Sequence, residues 1–310
     1  MNGFTALTTG PLLYVPGMSA GLPSIVEGTR FGSTKGIIVC LEDAVLPRET
    51  AVALQALTVC LQGNVRPNLY VRPRTPSILA EIRTTLGAEK VYGVVLPKVT
   101  PDNWPDWAAT LSGSGWRWMP TLETRHAFDA IWQRELRGAW LSSPLLSELL
   151  CVRVGGNDLL GLLGIRRGPR TTAYDTPLGQ LLSQTVATFK PHGLHVAGPV
   201  CESLTDQETV LAEALLDVQH GLCPKAAIHP AQVKTIQRAY AVNKFDALAA
   251  RQILGDGVPA VFAESGRMAE TATHGRWAEE ILARQEAFGT VDSPKNTAPR
   301  YAVGRQTAND

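Results

Sequence analysis

Acidic residues follow short apolar runs at several points along the chain. Glu42 and Asp43 come directly after one such run, Glu123 comes directly after a second, and Asp158 lies shortly after a third. Four carboxylates brought together would repel one another unless cations lie between them, and hard oxygen ligands suit Mg2+ or Mn2+. We therefore predict a divalent metal site built from these side chains.

Two basic residues occupy the same kind of position, each at the end of an apolar run. Arg72 ends one run, and Lys98 follows another after Pro97. A guanidinium can pair bidentately with a carboxylate, and an ammonium adds a compact second positive charge. We predict that the pocket binds a carboxylic acid through Arg72, Lys98 and Pro97, together with Gly155 and Gly156.

The elements that must position these residues are short strands separated by helices. Apolar, β-rich runs predict strands at residues 12–15, 36–41, 68–72, 92–96, 116–122, 149–154, 194–197 and 226–229. Helical patterns lie between them at residues 47–61, 77–86, 125–137, 177–191, 206–220 and 230–241. The alternation predicts a parallel sheet, and eight repeats close most naturally into a (β/α)8 barrel. Active sites of such barrels lie at the carboxyl ends of the strands, where the polar residues follow.

The domain organisation is predicted from where the alternation stops. We expect the barrel over residues 1–243 and a helical C-terminal extension over 244–286, with a break near 255–259. After about residue 287 the composition turns to Gly, Thr, Ser, Pro, Lys, Asn and Arg, so residues 287–310 are predicted to be a flexible tail.

Charge and cysteine usage exclude several classes of function. Lys and Arg total 29 against 28 acidic residues, so there is no broad electrostatic reason to bind nucleic acid or an anionic membrane. No run is long and apolar enough for a membrane span, and the first eleven residues do not resemble an export signal. The five cysteines are widely spaced without a Cys-x-x-Cys pair, which argues against a zinc knuckle and fits a reducing cytoplasm.

Seven short motifs around these positions carry a family resemblance. They are Tyr14-Val15-Pro16-Gly17, Leu41-Glu42-Asp43-Ala44-Val45, Val71-Arg72, Leu96-Pro97-Lys98, Leu122-Glu123-Thr124, Gly155-x-x-Asp158-Leu159 and Ile228-His229-Pro230-x-Gln232. In order and spacing, over roughly residues 11–285, they resemble the HpcH/HpaI aldolase and citrate lyase β-subunit family. The Leu-Glu-Asp-Ala-Val and His-Pro-x-Gln motifs resemble those of the acyl-CoA lyase branch of this family.

The resemblance implies roles for individual residues. Glu123 and Asp158 would bind Mg2+ directly, while Glu42 and Asp43 would hold metal-bound waters. Arg72 would grip a 2-oxo acid and stabilise charge on the oxygen of a coenzyme A thioester.

The implied reaction cleaves a 3-hydroxyacyl thioester into an acyl-CoA and a 2-oxo acid. Some family members take the base from the C-terminal segment of a neighbouring subunit, and Glu270 in Met268-Ala269-Glu270 looks similar. The resemblance therefore also implies a homotrimer or a multiple of it, with acyl-carrier or other lyase-complex subunits as further candidate partners.

Two positions depart from the family pattern and keep alternatives open. The family commonly has acids where this chain has Cys40 and Ala197. One alternative is a metal-dependent aldolase that acts on free 4-hydroxy-2-oxo acids without coenzyme A. Another is a barrel that binds the metal but serves as a non-catalytic subunit of a biosynthetic complex.

Overall fold

Eight parallel strands form the barrel that the sequence predicts. The computed structural model describes residues 5–66, 68–264 and 266–292. The strands are β1 Leu12–Pro16, β2 Gly36–Cys40, β3 Leu69–Arg72, β4 Gly93–Leu96, β5 Arg117–Leu122, β6 Val152–Val154, β7 Val196–Ala197 and β8 Ala226–Ala227. Their order is β7-β6-β5-β4-β3-β2-β1-β8, and a bridge between Gly198 and Lys225 joins the two ends.

Helices lie between the strands, as predicted. They are α1 Thr5–Thr8, α2 Leu22–Glu27, α3 Thr50–Gln62, α4 Pro76–Thr84, α5 Trp104–Leu111, α6 Ala130–Leu141, α7 Gly156–Leu162, α8 Leu178–Phe189, α9 Gln207–Gln219 and α10 Pro230–Tyr240. Side-chain caps begin several of them: Thr75 accepts from the amide of Ile78, and Asp206 accepts from the amides at the start of α9. Within the described ranges, no helix has both the length and the apolar composition needed to cross a bilayer.

Side chains of the strands pack on both faces of the sheet. Residues that point into the barrel form one cluster, which includes Ile38, Tyr70 and Met119. Their neighbours along each strand point outward and pack against the helices, as Val39 and Trp118 do. Burial of both faces explains why the strands read as continuous apolar runs. Successive side chains of a strand point to opposite faces of the sheet, so every second residue points into the barrel.

The C-terminal region is helical but contains a hairpin that was not predicted. It comprises β9 Val242–Asn243, α11 Lys244–Ile253, β10 Val261–Glu264, β11 Arg267–Glu270, α12 Thr271–Phe288 and β12 Thr290–Val291. Strands β10 and β11 pair antiparallel, so the predicted break near residues 255–259 precedes a hairpin rather than a second stretch of helix. The predicted tail begins within α12, and its residues 290–291 form strand β12, which pairs with β9. Residues 293–310 of the predicted tail lie outside the described residues.

A buried charge cluster lies beside the junction of β7 and β8. Lys225 is 1% exposed, and its ammonium lies 2.9 Å from a carboxylate oxygen of Glu213 and 2.8 Å from one of Asp217. Glu213 also pairs with Arg167 at 2.7 Å, and the hydroxyl of Tyr174 donates to Asp217 at 2.7 Å. Each charge in the cluster therefore has an oppositely charged or hydrogen-bonding partner, which buried ions require.

Candidate metal and substrate site

Three carboxylates from different segments of the chain converge at the carboxyl ends of the strands. Asp43 follows β2, Glu123 follows β5 directly, and Asp158 is the third residue of α7, which begins just after β6. One oxygen from each carboxylate lies within 4.8 Å of the other two. The structure thus brings together Glu123 and Asp158, the two predicted metal ligands, and adds Asp43 beside them. Carboxylate oxygens of separate side chains that lie this close together form the kind of site that a hard divalent cation binds.

Arg72 lies among the acidic residues and is shared by three of them. Its Nη2 lies 2.8 Å from Glu42, 3.2 Å from Asp43 and 2.9 Å from Glu123. Its Nε also donates to Glu42 at 3.1 Å. Arg72, Glu42 and Glu123 are each 5% exposed or less, so these charge-assisted bonds lie in a poorly hydrated environment. The guanidinium is therefore held rigidly at the rim of the barrel.

Lys98 supplies the second positive charge. Its ammonium contacts Glu42 closely and lies 3.0 Å from Asp43 and 3.6 Å from Asp158. The backbone of Lys98 adopts φ 50°, a left-handed conformation that is uncommon for residues other than glycine. In this conformation its amide donates to Glu123 at 2.7 Å while the side chain reaches Glu42. Such backbone strain often marks functional sites.

The balance of charge favours a bound divalent cation. When all four carboxylates are ionised, the two cationic side chains leave two of their negative charges unbalanced. Burial raises the pKa of Glu123, the charge of Arg72 opposes this rise and the charge of Asp158 adds to it, so that the net pKa is about 7. Burial acts in the same direction on Glu42, but its hydrogen bond with Asp43 and the charge of Arg72 lower the pKa to about 2. The site as a whole therefore carries an excess of negative charge that Mg2+ would neutralise.

Gly155 leaves the space that the Glu123 side chain occupies. A Cβ atom at position 155 would overlap both Cβ and the carboxylate of Glu123. The backbone of Gly155 has φ −85°, so the need for glycine here is one of space and not of conformation. The glycine thus positions a candidate ligand.

We expect Gly155→Ala to displace the Glu123 carboxylate and to weaken Mg2+ binding about tenfold, an effect of the size seen when groups that orient metal ligands are removed. Isothermal titration with Mg2+ measures this. Gly161→Ala is the matched control, because nothing lies within 4 Å of a Cβ added there and alanine favours a helix. Equal affinities for the two variants would contradict the prediction.

A cavity of about 480 Å³ opens beside the three carboxylates. Its size suits a small-molecule ligand. Of the residues predicted to bind substrate, Arg72, Gly155 and Gly156 line it. Lys98 and Pro97 do not line it: Lys98 contacts the lining residues Asp43 and Asp158, and Pro97 is buried.

Several lining residues were not predicted from the sequence to be site residues, and three of them carry side chains that could contact a ligand. They are Tyr14, Thr121 and Arg153. Arg153 had a detectable signal, since it is a charged residue in the middle of the otherwise apolar strand β6. Cys40 also lines the cavity, and burial raises the pKa of its thiol, so it adds no charge.

The other motif residues have structural contacts. His229 caps α10 by accepting from the amide of Ala231. Gln232 is fully buried and donates to the carbonyls of Cys201 and Ser203, which ties the end of β8 to the loop after β7. Glu270 ends β11 in the C-terminal hairpin and accepts a hydrogen bond from Thr273, on the first turn of α12.

The family follows from a match along almost the whole chain. A family model described as C–C bond lyase of the TIM-barrel fold matches residues 4–290. The chain belongs to this family. It is therefore a carbon–carbon bond lyase, and the family resemblance drawn from the motifs is confirmed. Among curated proteins, a sequence search finds no match to this lyase.

Solved structures similar to this lyase share its fold at low sequence identity. CitE from Mycobacterium tuberculosis, in complex with magnesium, acetoacetate and coenzyme A, is 20% identical with a TM-score of 0.70, covering 90% of this chain and 99% of that one. A citrate lyase from Burkholderia xenovorans LB400 is 17% identical with a TM-score of 0.72, covering 94% and 95%. RipC from Yersinia pestis is 17% identical with a TM-score of 0.59, covering 77% and 98%.

Proposed function

We propose that this lyase binds Mg2+ or Mn2+ through Glu123 and Asp158 and cleaves a 3-hydroxyacyl thioester of coenzyme A. The substrate class is that of citryl-, citramalyl- or malyl-CoA, and the products are an acyl-CoA such as acetyl-CoA and a 2-oxo acid such as oxaloacetate. The observation that carries the proposal is the convergence of Asp43, Glu123 and Asp158 within 4.8 Å, beside a cavity at the carboxyl ends of the strands.

The donor set fits magnesium or manganese. All the candidate ligands are carboxylate oxygens, the donors that these hard cations prefer over the nitrogen and sulfur ligands of zinc sites. In the proposed arrangement Glu123 and Asp158 bind the ion directly, and Glu42 and Asp43 accept hydrogen bonds from its waters. The magnesium, acetoacetate and coenzyme A in the similar CitE structure support this choice.

When bound, the ion would act as a Lewis acid toward the oxygens of the 2-oxo acid part of the substrate. Cleavage transfers the hydroxyl proton to a base and breaks the carbon–carbon bond, whose electron pair passes to the thioester as an enolate. We assign to Arg72, which forms ion pairs with Glu42 and Glu123, the role of stabilising the negative charge on the thioester oxygen. A proton delivered to the enolate carbon then yields the acyl-CoA.

A base from a second copy of the chain is part of the proposal. Glu270 lies in the C-terminal hairpin, where Val261 and Met268 are 57% and 63% exposed, and a homotrimer or a multiple of it would bury such a surface. We expect Glu270→Gln and Asp158→Asn each to lose activity. Mixed oligomers of the two variants should regain part of it, because some of their sites would combine an intact Asp158 from one subunit with an intact Glu270 from its neighbour. Failure of mixed oligomers to regain activity would place Glu270 outside the partner's site.

The function is tested by supplying the three thioesters. Purified protein with Mg2+ should release acetyl-CoA and an equal amount of 2-oxo acid from at least one of them, with EDTA abolishing the release of both products. Exchange of pyruvate methyl protons in deuterated buffer without turnover of any thioester would instead favour the aldolase. Tight binding of metal and oxo acid with neither reaction would favour a non-catalytic subunit.

We expect the affinity for Mg2+ to fall as the pH decreases from 8 to 6. Because burial raises the pKa of Glu123 to about 7, this carboxyl holds a proton below that pH, and the metal must displace it. The loss should approach about tenfold per pH unit below 7, whereas a glutamate with the ordinary value of 4.5 would leave the affinity constant over this range. Titrations in two buffers of different ionisation enthalpy count the released protons. A flat profile without proton release would contradict the prediction.

The setting we propose is the cytoplasm. All five cysteines are buried and unpaired, which is the state expected in a reducing compartment.

A further inference from the structure

Arg153 is a buried cation inside the barrel, one layer below the carboxylates. It lies on β6, where its backbone neighbours are Thr121 on β5 and Ala197 on β7. It precedes Gly155 by two residues, so the two residues face the same side of the strand, and Arg153 lies about 6.6 Å deeper in the barrel. It is 5% exposed and lines the cavity. Its position makes it the floor of the pocket whose rim carries the carboxylates.

No described residue forms a hydrogen bond or an ion pair with the Arg153 guanidinium. The guanidinium lies over the ring of Tyr14, whose centroid is 5.5 Å from Cζ. The other buried arginines have acceptors: Arg66 donates to two carbonyls, and Arg72 pairs with three carboxylates. A charge buried without an acceptor is unfavourable, so a cation left in this state inside a binding cavity indicates that the ligand supplies the anion.

The strand neighbours explain why the charge stays uncompensated within the chain. Thr121 and Ala197 carry no charge, and the Cys40 thiol that lines the same cavity is neutral because burial raises its pKa. The carboxylates at the rim are already engaged with Arg72 and Lys98. The cavity thus has two chemically distinct ends, acidic at the rim and cationic at the floor.

We propose that Arg153, against the face of Tyr14, forms a second anion subsite that accepts a carboxylate at the far end of the 2-oxo acid. Arg153 is then a specificity-determining residue, and the preferred product is a 2-oxo acid with a second carboxylate. A guanidinium can pair bidentately with a carboxylate, and its single positive charge balances the single negative charge of that group. The inference rests on the proposed function, because it assumes that the oxo-acid end of the substrate lies at the metal site.

The test compares pairs of acids that differ by one carboxylate. Oxaloacetate is paired with pyruvate, and 2-oxoglutarate with 2-oxobutyrate, each titrated calorimetrically into the full chain at saturating Mg2+. Arg153→Met removes the charge and keeps most of the volume, while Arg153→Lys keeps a charge without the planar fork. Circular dichroism and the Mg2+ affinity of each variant verify that the fold and the metal site are intact.

We expect the wild type to bind the dicarboxylic member of at least one pair tenfold or more tightly than its partner. Arg153→Met should remove that preference, with the monocarboxylic acid changed less than threefold, and Arg153→Lys should keep part of it. Equal affinities within both pairs for the wild type, or an equal loss for both members in Arg153→Met, would overturn the inference. Absence of Mg2+ and pyruvate binding by the wild type would instead contradict the proposed function, so the two failures are distinguishable.

If Arg153→Met does not fold, Tyr14→Leu provides the second variant. It removes the ring that supports the guanidinium and leaves the charge in place. A reduced preference for the dicarboxylic acids supports the subsite, and an unchanged preference overturns the role of Tyr14 in it.

Discussion

Asp158→Asn is expected to weaken Mg2+ binding by at least about 100-fold, which corresponds to about 2.8 kcal/mol. The substitution removes one of the negative charges that face the ion and leaves the size of the side chain nearly unchanged. Thioester cleavage at subsaturating Mg2+ should fall by a similar factor, because the reaction is proposed to depend on the ion. Isothermal titration measures the affinity, and a coupled assay for the 2-oxo acid measures the activity.

Asp158 is a better test than Glu123 because it contributes less to the protein's own contacts. Its side chain is 30% exposed, and among the described residues it forms an ion pair with Lys98 alone, at 3.6 Å. Glu123 instead accepts from Arg72 and from the amide of Lys98, so its replacement would also disturb those residues. Asp256→Asn, at an exposed position, is the matched control and should leave Mg2+ binding unchanged. Unaltered binding by Asp158→Asn would remove this residue from the metal site.

Lys225→Met is expected to lower the free energy of unfolding by about 3–5 kcal/mol, the cost of breaking a buried ion pair on one side. The ammonium is the shared partner of Glu213 and Asp217, whose side chains have no solvent exposure. Methionine fills most of the volume but leaves these two carboxylates with less positive charge around them. Because the side chains are removed from water, solvent cannot replace the lost interaction.

Urea unfolding followed by circular dichroism measures the effect. The matched control is Lys244→Met, which removes the ion pair with Asp292, where the two side chains are 57% and 87% exposed. Solvent screens such a pair, so this variant should lose less than about 1 kcal/mol. Similar losses for the two variants, or a loss below 1 kcal/mol for Lys225→Met, would contradict the prediction.

Much of the metal site followed from local patterns. Glu123 directly follows a buried strand and Asp158 lies near the end of the next one, and neighbouring parallel strands end at the same edge of a barrel. The hairpin of β10 and β11 was not predicted, because its strands have four residues each and most of these residues are exposed or partly buried. Such short segments carry too weak a periodic signal to distinguish them from helix.

The sequence by itself determined the eight strands, the end of the barrel that carries the polar residues, and the acidic character of that end. These properties depend on hydrophobic periods of two and 3.6 residues, which are local along the chain. Only the tertiary structure decided that Arg72 is shared by Glu42, Asp43 and Glu123, and that the strand neighbours of Arg153 carry no charge. Such pairings depend on distances between side chains from strands that are far apart in the sequence, which periodicity does not encode.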